Sequence, residues 1–311
     1  MNRRTFLASG AALAAASCLP RRVLAEAPST PGAGVTRVVL LHTNDTHSRL
    51  DPFPMDGGRY EGMGGVARRK TLVDEARKAE PNTLLLDCGD VFQGTPYFNF
   101  FGGVAEYEAM TRLGYDLATL GNHDFDAGTA SLTKAMEHAT FQFVCANHAY
   151  TDPVLAARVK PHVVKTFGDV RVGFFGLSVA FEGLVAPNLH EGVQYRDALE
   201  AAREAVSALR EREKVHAVVA LTHLGVDDDA HSPGDVTLAK SVGGIDLILG
   251  GHSHSWLKKP KVVERPGGGV TQIQQVGFAG IWLGRVELRF EGTRLAAVDG
   301  GVLGVGGEAL A

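Results

Sequence analysis

The chain has 311 residues, 45% of them hydrophobic and 21% charged, with 38 Gly and 13 Pro. This is globular composition, which excludes a disordered or fibrous protein, and the length fits one α/β domain of roughly 250–270 residues or two small ones. A net charge of −4 with no basic stripe in the body of the chain removes the electrostatic footprint that a nucleic-acid polymer would need.

Taken in order, the chain opens with Arg3-Arg4-Thr5-Phe6-Leu7, an Ala-rich apolar stretch to Leu19, then Pro20-Arg21-Arg22 and Val23-Leu24-Ala25. This resembles a bacterial twin-arginine (Tat) signal with a small-residue cleavage site after Ala25. The apolar stretch is shorter than the about 20 residues of a membrane span, so no stable span is expected after cleavage. The expected location is the periplasm or another extracytoplasmic space. Cleavage would remove four arginines and no acid, moving the net charge from −4 to −8. It would leave Cys88 and Cys145 in apolar runs, where free buried thiols are the default.

Residues 26–34 read as a linker. Val35–Leu41 reads as a strand, ending in His42-Thr43-Asn44-Asp45-Thr46-His47. Asp45 and His47 lie two apart, so an extended strand end would turn both to one side. A helix follows from Val66 to Lys78, then a buried strand, Thr83–Leu86, whose tip carries Asp87-Cys88-Gly89-Asp90. Gly89 permits the sharp turn that would free Asp90, whereas an Asp just past a strand, such as Asp87, usually satisfies backbone groups. Phe92, Tyr97, Phe98, Phe100 and Phe101 read as core rather than pocket lining, and Val104–Leu113 as a helix.

Leu117-Ala-Thr-Leu120 is apolar and runs into Gly121-Asn122-His123-Asp124-Phe125-Asp126. Strand ends of open α/β sheets carry their chemistry at such places. Taken alone, however, the run is also an ordinary turn. Phe141–Ala146 reads as a strand, residues 160–179 as a hairpin around Gly168-Asp169, and Asp197–Arg212 as an amphipathic helix with an alanine-rich face. Two further strands end in His223 and in Gly251-His252-Ser253-His254. Strands follow at 269–276 and 281–290, and a Gly-rich tail is expected after about residue 295. Asp227-Asp228-Asp229 reads as a solvated loop. His42, His138, His148, His162, His190, His216 and His231 read as surface or satisfied core.

Five separate apolar runs thus end in metal-capable or titratable side chains, more than independent turns would supply. The donors are oxygen and nitrogen without thiolate, which favours Mn, Fe, Zn or a similar divalent ion over a Cys-rich structural site. Seven candidate ligands exceed the usual protein complement of one ion. Two ions sharing a carboxylate fit better, at the roughly 3.5–4 Å spacing of two-metal hydrolases.

Asp45-x-His47, Gly89-Asp90, Gly121-Asn122-His123-Asp124, His223 and Gly251-His252-Ser253-His254 resemble the motifs of the calcineurin-like metallophosphoesterases. Leu41–His47, Gly89–Thr95 and Gly121–Asp126 resemble the 5′-nucleotidase branch. The resemblance covers about residues 35–295. It implies a single-domain α/β fold, a four-layer α-β-β-α sandwich of two mixed sheets flanked by helices, between the linker and a tail over 296–311. It also implies two divalent metal ions (Mn, Zn, Fe or Co). Asp45, His47, Asp90 and His254 would hold one ion and Asp90, Asn122, His223 and His252 the other, with Asp90 bridging. His123, oriented by Asp126, would protonate or hydrogen-bond the substrate. At the position of His254 the nucleotidase branch often has Gln. The implied reaction is attack of a metal-activated hydroxide on a small phosphorylated substrate, with nucleotides as the inherited class.

Relatives of the nucleotidase branch usually add a C-terminal domain that grips the nucleoside and supplies phosphate-binding arginines. The chain is expected to lack it, which leaves small phosphodiesters or monoesters as alternative substrates and a partner protein as one source of the missing surface. Two other functions fit the same motifs: sulfate release of the thiosulfate-oxidation kind, and a catalytically silent metal-binding module.

Overall fold

The computed structural model describes residues 34–306. The expected targeting segment, the linker up to residue 33 and residues 307–311 of the expected tail lie outside the described residues. In chain order the strands are β1 (Val35–Thr43), β2 (Thr83–Asp87), β3 (Leu117–Ala118), β4 (Gln142–Val144), β5 (His148–Tyr150), β6 (Val159–Lys160), β7 (His162–Phe167) and β8 (Val170–Ser178). They continue with β9 (Val193–Tyr195), β10 (Ala217–His223), β11 (Leu247–Leu249), β12 (Lys261–Glu264), β13 (Val270–Gln274), β14 (Trp282–Glu291) and β15 (Arg294–Gly304). The α-helices are α1 (Val66–Ala79), α2 (Pro96–Phe101), α3 (Val104–Leu113), α4 (Thr129–Met136), α5 (Pro153–Arg158), α6 (Ala198–Ser207) and α7 (Asp235–Ser241).

Two mixed sheets result. The first runs β15-β14-β1-β2-β3-β4-β6 and the second β12-β13-β11-β10-β8-β7. In the first, β1, β2, β3, β4 and β6 are mutually parallel and β14 joins antiparallel. In the second, β8, β10, β11 and β13 are parallel, with antiparallel β7 and β12 at the edges. Parallel strands with both faces covered need apolar side chains on both, which is why the middle of β1, Val38-Val39-Leu40-Leu41, is an unbroken apolar run. Val38 and Leu40 enter the core between the sheets with Leu84, Leu86, Phe174, Val219 and Leu221. Val39 and Leu41 face the other way, against Tyr107, Met110 and Leu113 of α3 and Leu132 and Met136 of α4. Across the second sheet, the alanines of α6 cover Phe175, Val218 and Ala220. The layers are therefore helices, sheet, sheet, helices, as the resemblance implied.

Several boundaries differ from the sequence reading. The chain does not leave the domain as a tail at residue 296: after a two-residue turn at Gly292-Thr293, residues 294–304 pair along the whole of β14. The open edge of a ten-residue strand outweighs the weak strand propensity of its glycines. Of the apolar run 117–120, only Leu117 and Ala118 pair in the sheet before the chain turns into the loop. The helix expected over 197–212 starts on its Asp197 cap, whose side chain accepts from Glu200 N, and passes into a π-helical turn at Ala208–Arg212. Of the aromatic cluster, Phe92 is core, while Phe100 and Phe101 stand 81% and 54% exposed. Cys88 and Cys145 are free and buried, as expected. Among the described residues no helix is long and apolar enough to cross a membrane.

Candidate dimetal centre

The C-terminal ends of β1, β2, β3, β10 and β11 converge; His223 is the last residue of β10, and the loops that leave the other four strands carry the remaining six predicted ligands. The backbone there is held in unusual conformations. Asp45, His47, Asp90, His252 and His254 have φ of 50°, 47°, 55°, 77° and 51°. They are five of the nine non-glycine residues with positive φ among those described. Each such conformation costs on the order of 1–3 kcal/mol and persists only where its surroundings enforce it. Asp45 and His47 are therefore not an extended pair; left-handed turns, not strand alternation, bring them to one side. Gly89 makes the neighbouring turn at φ 86°, and a Cβ there would lie 2.6 Å from Gly121 N.

Two ligand groups form. Asp45, His47 and His254 place one ligand atom each within 4.8 Å of one another, and so do Asp90, His223 and His252. In the first group, His254 Nε2 is 3.0 Å from His47 Nε2 and 3.4 Å from Asp45 Oδ1. In the second, His223 Nε2 is 3.0 Å from Asp90 Oδ2. The same nitrogen lies 3.9 Å from Asp45 Oδ1, so the two groups adjoin. Asn122 follows β3 beside them, and the backbone N–H of His123 donates to Asp90 Oδ1 at 2.8 Å. Asn122 Oδ1 is buried and has no hydrogen-bond partner.

Charge at this place is unbalanced without a cation. Burial alone would lower the His223 pKa, but Asp90 and then Asp45 raise it to about 10. Burial would likewise raise Asp90, yet His223, His123 and His47 hold it below the usual carboxylate range. In the metal-free protein a proton on His223 thus stands where a divalent cation would neutralise the carboxylates. His47 and His252 are shifted down, chiefly by burial, and favour the neutral form that a ligand needs.

A supporting layer fixes these side chains. His223 Nδ1 donates to Cys88 O at 2.8 Å, which leaves Nε2 for the centre. Asn44 donates to Asp45 Oδ2 and Gly277 O and accepts from Val276 N. Gln275 holds the His252–His254 loop through Gly251 O, Ser253 Oγ and Ser255 N. Asp124 accepts from the backbone of Gly121, Asp90, Val91 and Phe92, tying two ligand loops together. Burial, then Asp90, pushes it to about 7. The sequence reading gave Asn44, Asp124 and Gln275 no role; only the adjacency of the first two to predicted ligands hinted at one. Asp87 satisfies Thr43 Oγ1 and Gly89 N, the structural fate expected of it.

Asp229 departs from expectation. Its Oδ1 caps His231 N and Ser232 N, which turns Oδ2 inward to 3.3 Å from His252 Nε2. Asp227 and Asp228 remain peripheral, paired with Lys261 and with Gly234 N. Among the histidines read as bland, His138 pairs with Glu108 at 3.0 Å on the surface. His148 is buried with both ring nitrogens unpartnered.

His123 stands beside the two groups without joining either. Its ring meets that of His47 edge-on at 5.4 Å, and its Nδ1 is 2.7 Å from Asp126 Oδ2. That hydrogen bond raises its pKa against the opposing effect of burial. An open cleft of about 340 Å³ lies over the centre, walled by His47, His123, His254, Arg49 and Phe278.

Nitrogen and oxygen donors, an unpartnered buried amide oxygen and facing imidazole nitrogens make a donor set that fits divalent ions. Known proteins point the same way. Residues 38–256 match the model of the calcineurin-like phosphoesterase family. The human 5′-nucleotidase is 33% identical over 283 residues, 84% of this chain and 48% of that protein. The trifunctional nucleotide phosphoesterase YfkN of Bacillus subtilis is 32% identical over 306 residues, 88% of this chain and 19% of that one. The crystal structure of a 5′-nucleotidase precursor from Thermus thermophilus superposes with a TM-score of 0.78 at 35% identity, covering 86% of this chain and 54% of that chain. The chain spans about half the length of the human relative and about a fifth of the Bacillus one. Fold, ligand groups and family match agree: the chain belongs to the calcineurin-like phosphoesterases, a family of metal-dependent phosphoric ester hydrolases.

Proposed function

We propose that the protein hydrolyses small phosphate esters, 5′-nucleotides first among them, and that it does so outside the cytoplasm after twin-arginine export. The observation that carries the hydrolytic reading is the pair of adjoining ligand groups with the His123–Asp126 pair at their edge. Asp45, His47, Asp90 and His254 would hold one ion and Asp90, Asn122, His223 and His252 the other. Bound there, two divalent ions would lower the pKa of a water and neutralise phosphoryl oxygens.

The remaining work falls to the chain. Asp126 accepts from His123 Nδ1 and keeps the ring protonated to higher pH than a free imidazole. The imidazolium can then donate to a phosphoryl or leaving oxygen as charge develops on it. Nucleotide substrates are supported by the 5′-nucleotidases among the relatives. Reconstitution of the metal-free chain with Mn²⁺, Zn²⁺, Fe²⁺ or Co²⁺ and assay against AMP, bis-p-nitrophenyl phosphate and p-nitrophenyl phosphate tests this. Metal-dependent hydrolysis of AMP to phosphate and adenosine is expected. Metal-dependent cleavage of the synthetic esters without hydrolysis of AMP would remove nucleotides from the reading. Export is tested by fractionating cells that express the chain or its Arg3→Lys/Arg4→Lys variant. Retention of the variant in the cytoplasm is expected, and an unchanged distribution would discard the Tat assignment.

A further inference from the structure

Arg49 borders two hollows of about 300 Å³ or more. One is the cleft over the metal-ligand groups. The other, about 300 Å³, is walled by Thr95, Tyr97, Phe100 and Phe101. The chain itself passes from one to the other, since Gln93 and Gly94 line the first and Thr95 and Pro96 the second. The second hollow lies at the small end of ligand clefts, roughly 300–1,000 Å³. The Arg49 guanidinium lies 4.4 Å from the Phe53 ring centroid, and among the described residues it has no carboxylate partner. A half-buried cation without an acid, on the rim of a site for phosphate esters, is available to an anion from solvent.

The helix that carries the aromatic wall is anchored. Helix α2 is anchored inward by Phe98, whose ring stacks on buried Phe92 at 5.6 Å, and by Phe98 N donating to Ser48 Oγ. Tyr97 is fixed by its hydroxyl, which donates to Asp51 Oδ2 at 2.8 Å, and its ring stacks with that of Phe101 at 6.4 Å. Phe100 and Phe101 are nevertheless mostly exposed. Neighbouring aromatic rings held outward on a fixed element mark a binding surface more often than a folding requirement.

We propose that this hollow receives the planar base of a nucleotide whose phosphoryl group lies over the dimetal centre, with Arg49 between them contacting the phosphate. The proposal rests on the phosphoesterase reading of the centre and extends it to the leaving group. Aromatic rings offer a base a stacking face whatever its sequence of donors and acceptors. A guanidinium supplies charge-assisted hydrogen bonds to phosphate. A flexible alkyl leaving group would gain apolar contact from the rings but no stacking.

Calorimetry on the Mn²⁺-loaded chain tests this with two stable probes, the phosphonate analogue of AMP and methylphosphonate, which lacks a base. The Phe100→Ala/Phe101→Ala variant changes only outward side chains. It is expected to bind the AMP analogue about 10-fold or more weakly, from the worth of base stacking, and methylphosphonate as before. Arg49→Ala is expected to weaken both. Unchanged affinity of the double variant for the AMP analogue would overturn the proposal. So would wild-type protein that binds the analogue no more tightly than methylphosphonate, with the centre's reading left standing. Wild type binding neither probe would overturn the centre's reading and this one together. Unchanged analogue affinity with an altered sedimentation coefficient in the double variant would assign the rings to a protein contact instead.

Discussion

On the proposed function, His123 and Asp126 would place one proton donor at the edge of two groups that could hold metal ions. Because the His123 ring belongs to neither ligand group and its contact with Asp90 is through the backbone N–H, His123→Ala is expected to lower kcat by roughly 10²–10⁴-fold, the usual range for a general acid, with metal content by elemental analysis unchanged. Loss of metal in that variant would instead make His123 a ligand or a support for one. A second residue-scale prediction concerns stability. Burial, then His190, pulls the His148 pKa from 6.5 down to about 3. The unfolded chain therefore binds a proton between those values that the folded chain refuses. Stability from this residue is present above pH 6.5 and drains as pH falls toward 3, by about 2 kcal/mol at pH 5. Asp87 and Asp235, raised chiefly by burial to about 7, act in the opposite sense. The comparison is therefore between wild type and His148→Phe, in which those carboxylates cancel. The difference in unfolding free energy between the two should change by about 2 kcal/mol from pH 8 to pH 5. A pH-independent difference would show that His148 does not titrate on unfolding.

At the scale of the element, the site is a set of loops whose turns the backbone would not choose unaided. Gly251 is packed against a ligand: a Cβ there would lie 2.7 Å from Cys88 O and 2.8 Å from His223 Nδ1, across the bond that orients His223. Gly251→Ala is expected to lower metal content and activity together while the circular dichroism stays native. Full occupancy in that variant would show the loop to be more compliant than its packing. The ligands were legible in the sequence because each ends an apolar run, and their side-chain chemistry is explicit there. What supports them was not. Asp124 sits inside the Gly121–Asp126 motif but acts on the backbone of another loop, 34 residues away at Asp90. Gln275 follows an unremarkable strand and acts on Gly251 and Ser255. Asp229 lies in an acidic run that composition alone assigns to solvent. Such roles depend on which loops meet, and that is decided by the sheets.

For the whole molecule, the two sheets bring the C-terminal ends of β1, β2 and β3 against those of β10 and β11, so the centre spans both halves of the fold. Ions bound there are linked to global stability. At about 100 times its dissociation constant each ion should contribute about 2.7 kcal/mol, raising Tm by several degrees. Asp90→Asn should abolish most of that rise, whereas an undiminished rise in that variant would place the ions elsewhere. The long strands and α1, α3 and α6 were readable from hydrophobic period. β3, α2 and α5 are too short to show one, and β15 is specified by the open edge of β14 rather than by its own glycine-rich residues. The central claim is that this chain is a dimetal phosphoesterase. It is tested most directly by measuring metal stoichiometry and AMP turnover together on the reconstituted chain and its Asp90→Asn and His123→Ala variants. Two ions per wild-type chain, with turnover lost in both variants but metal lost only in Asp90→Asn, is the predicted result. Two ions bound without hydrolysis of any phosphate ester would contradict the account.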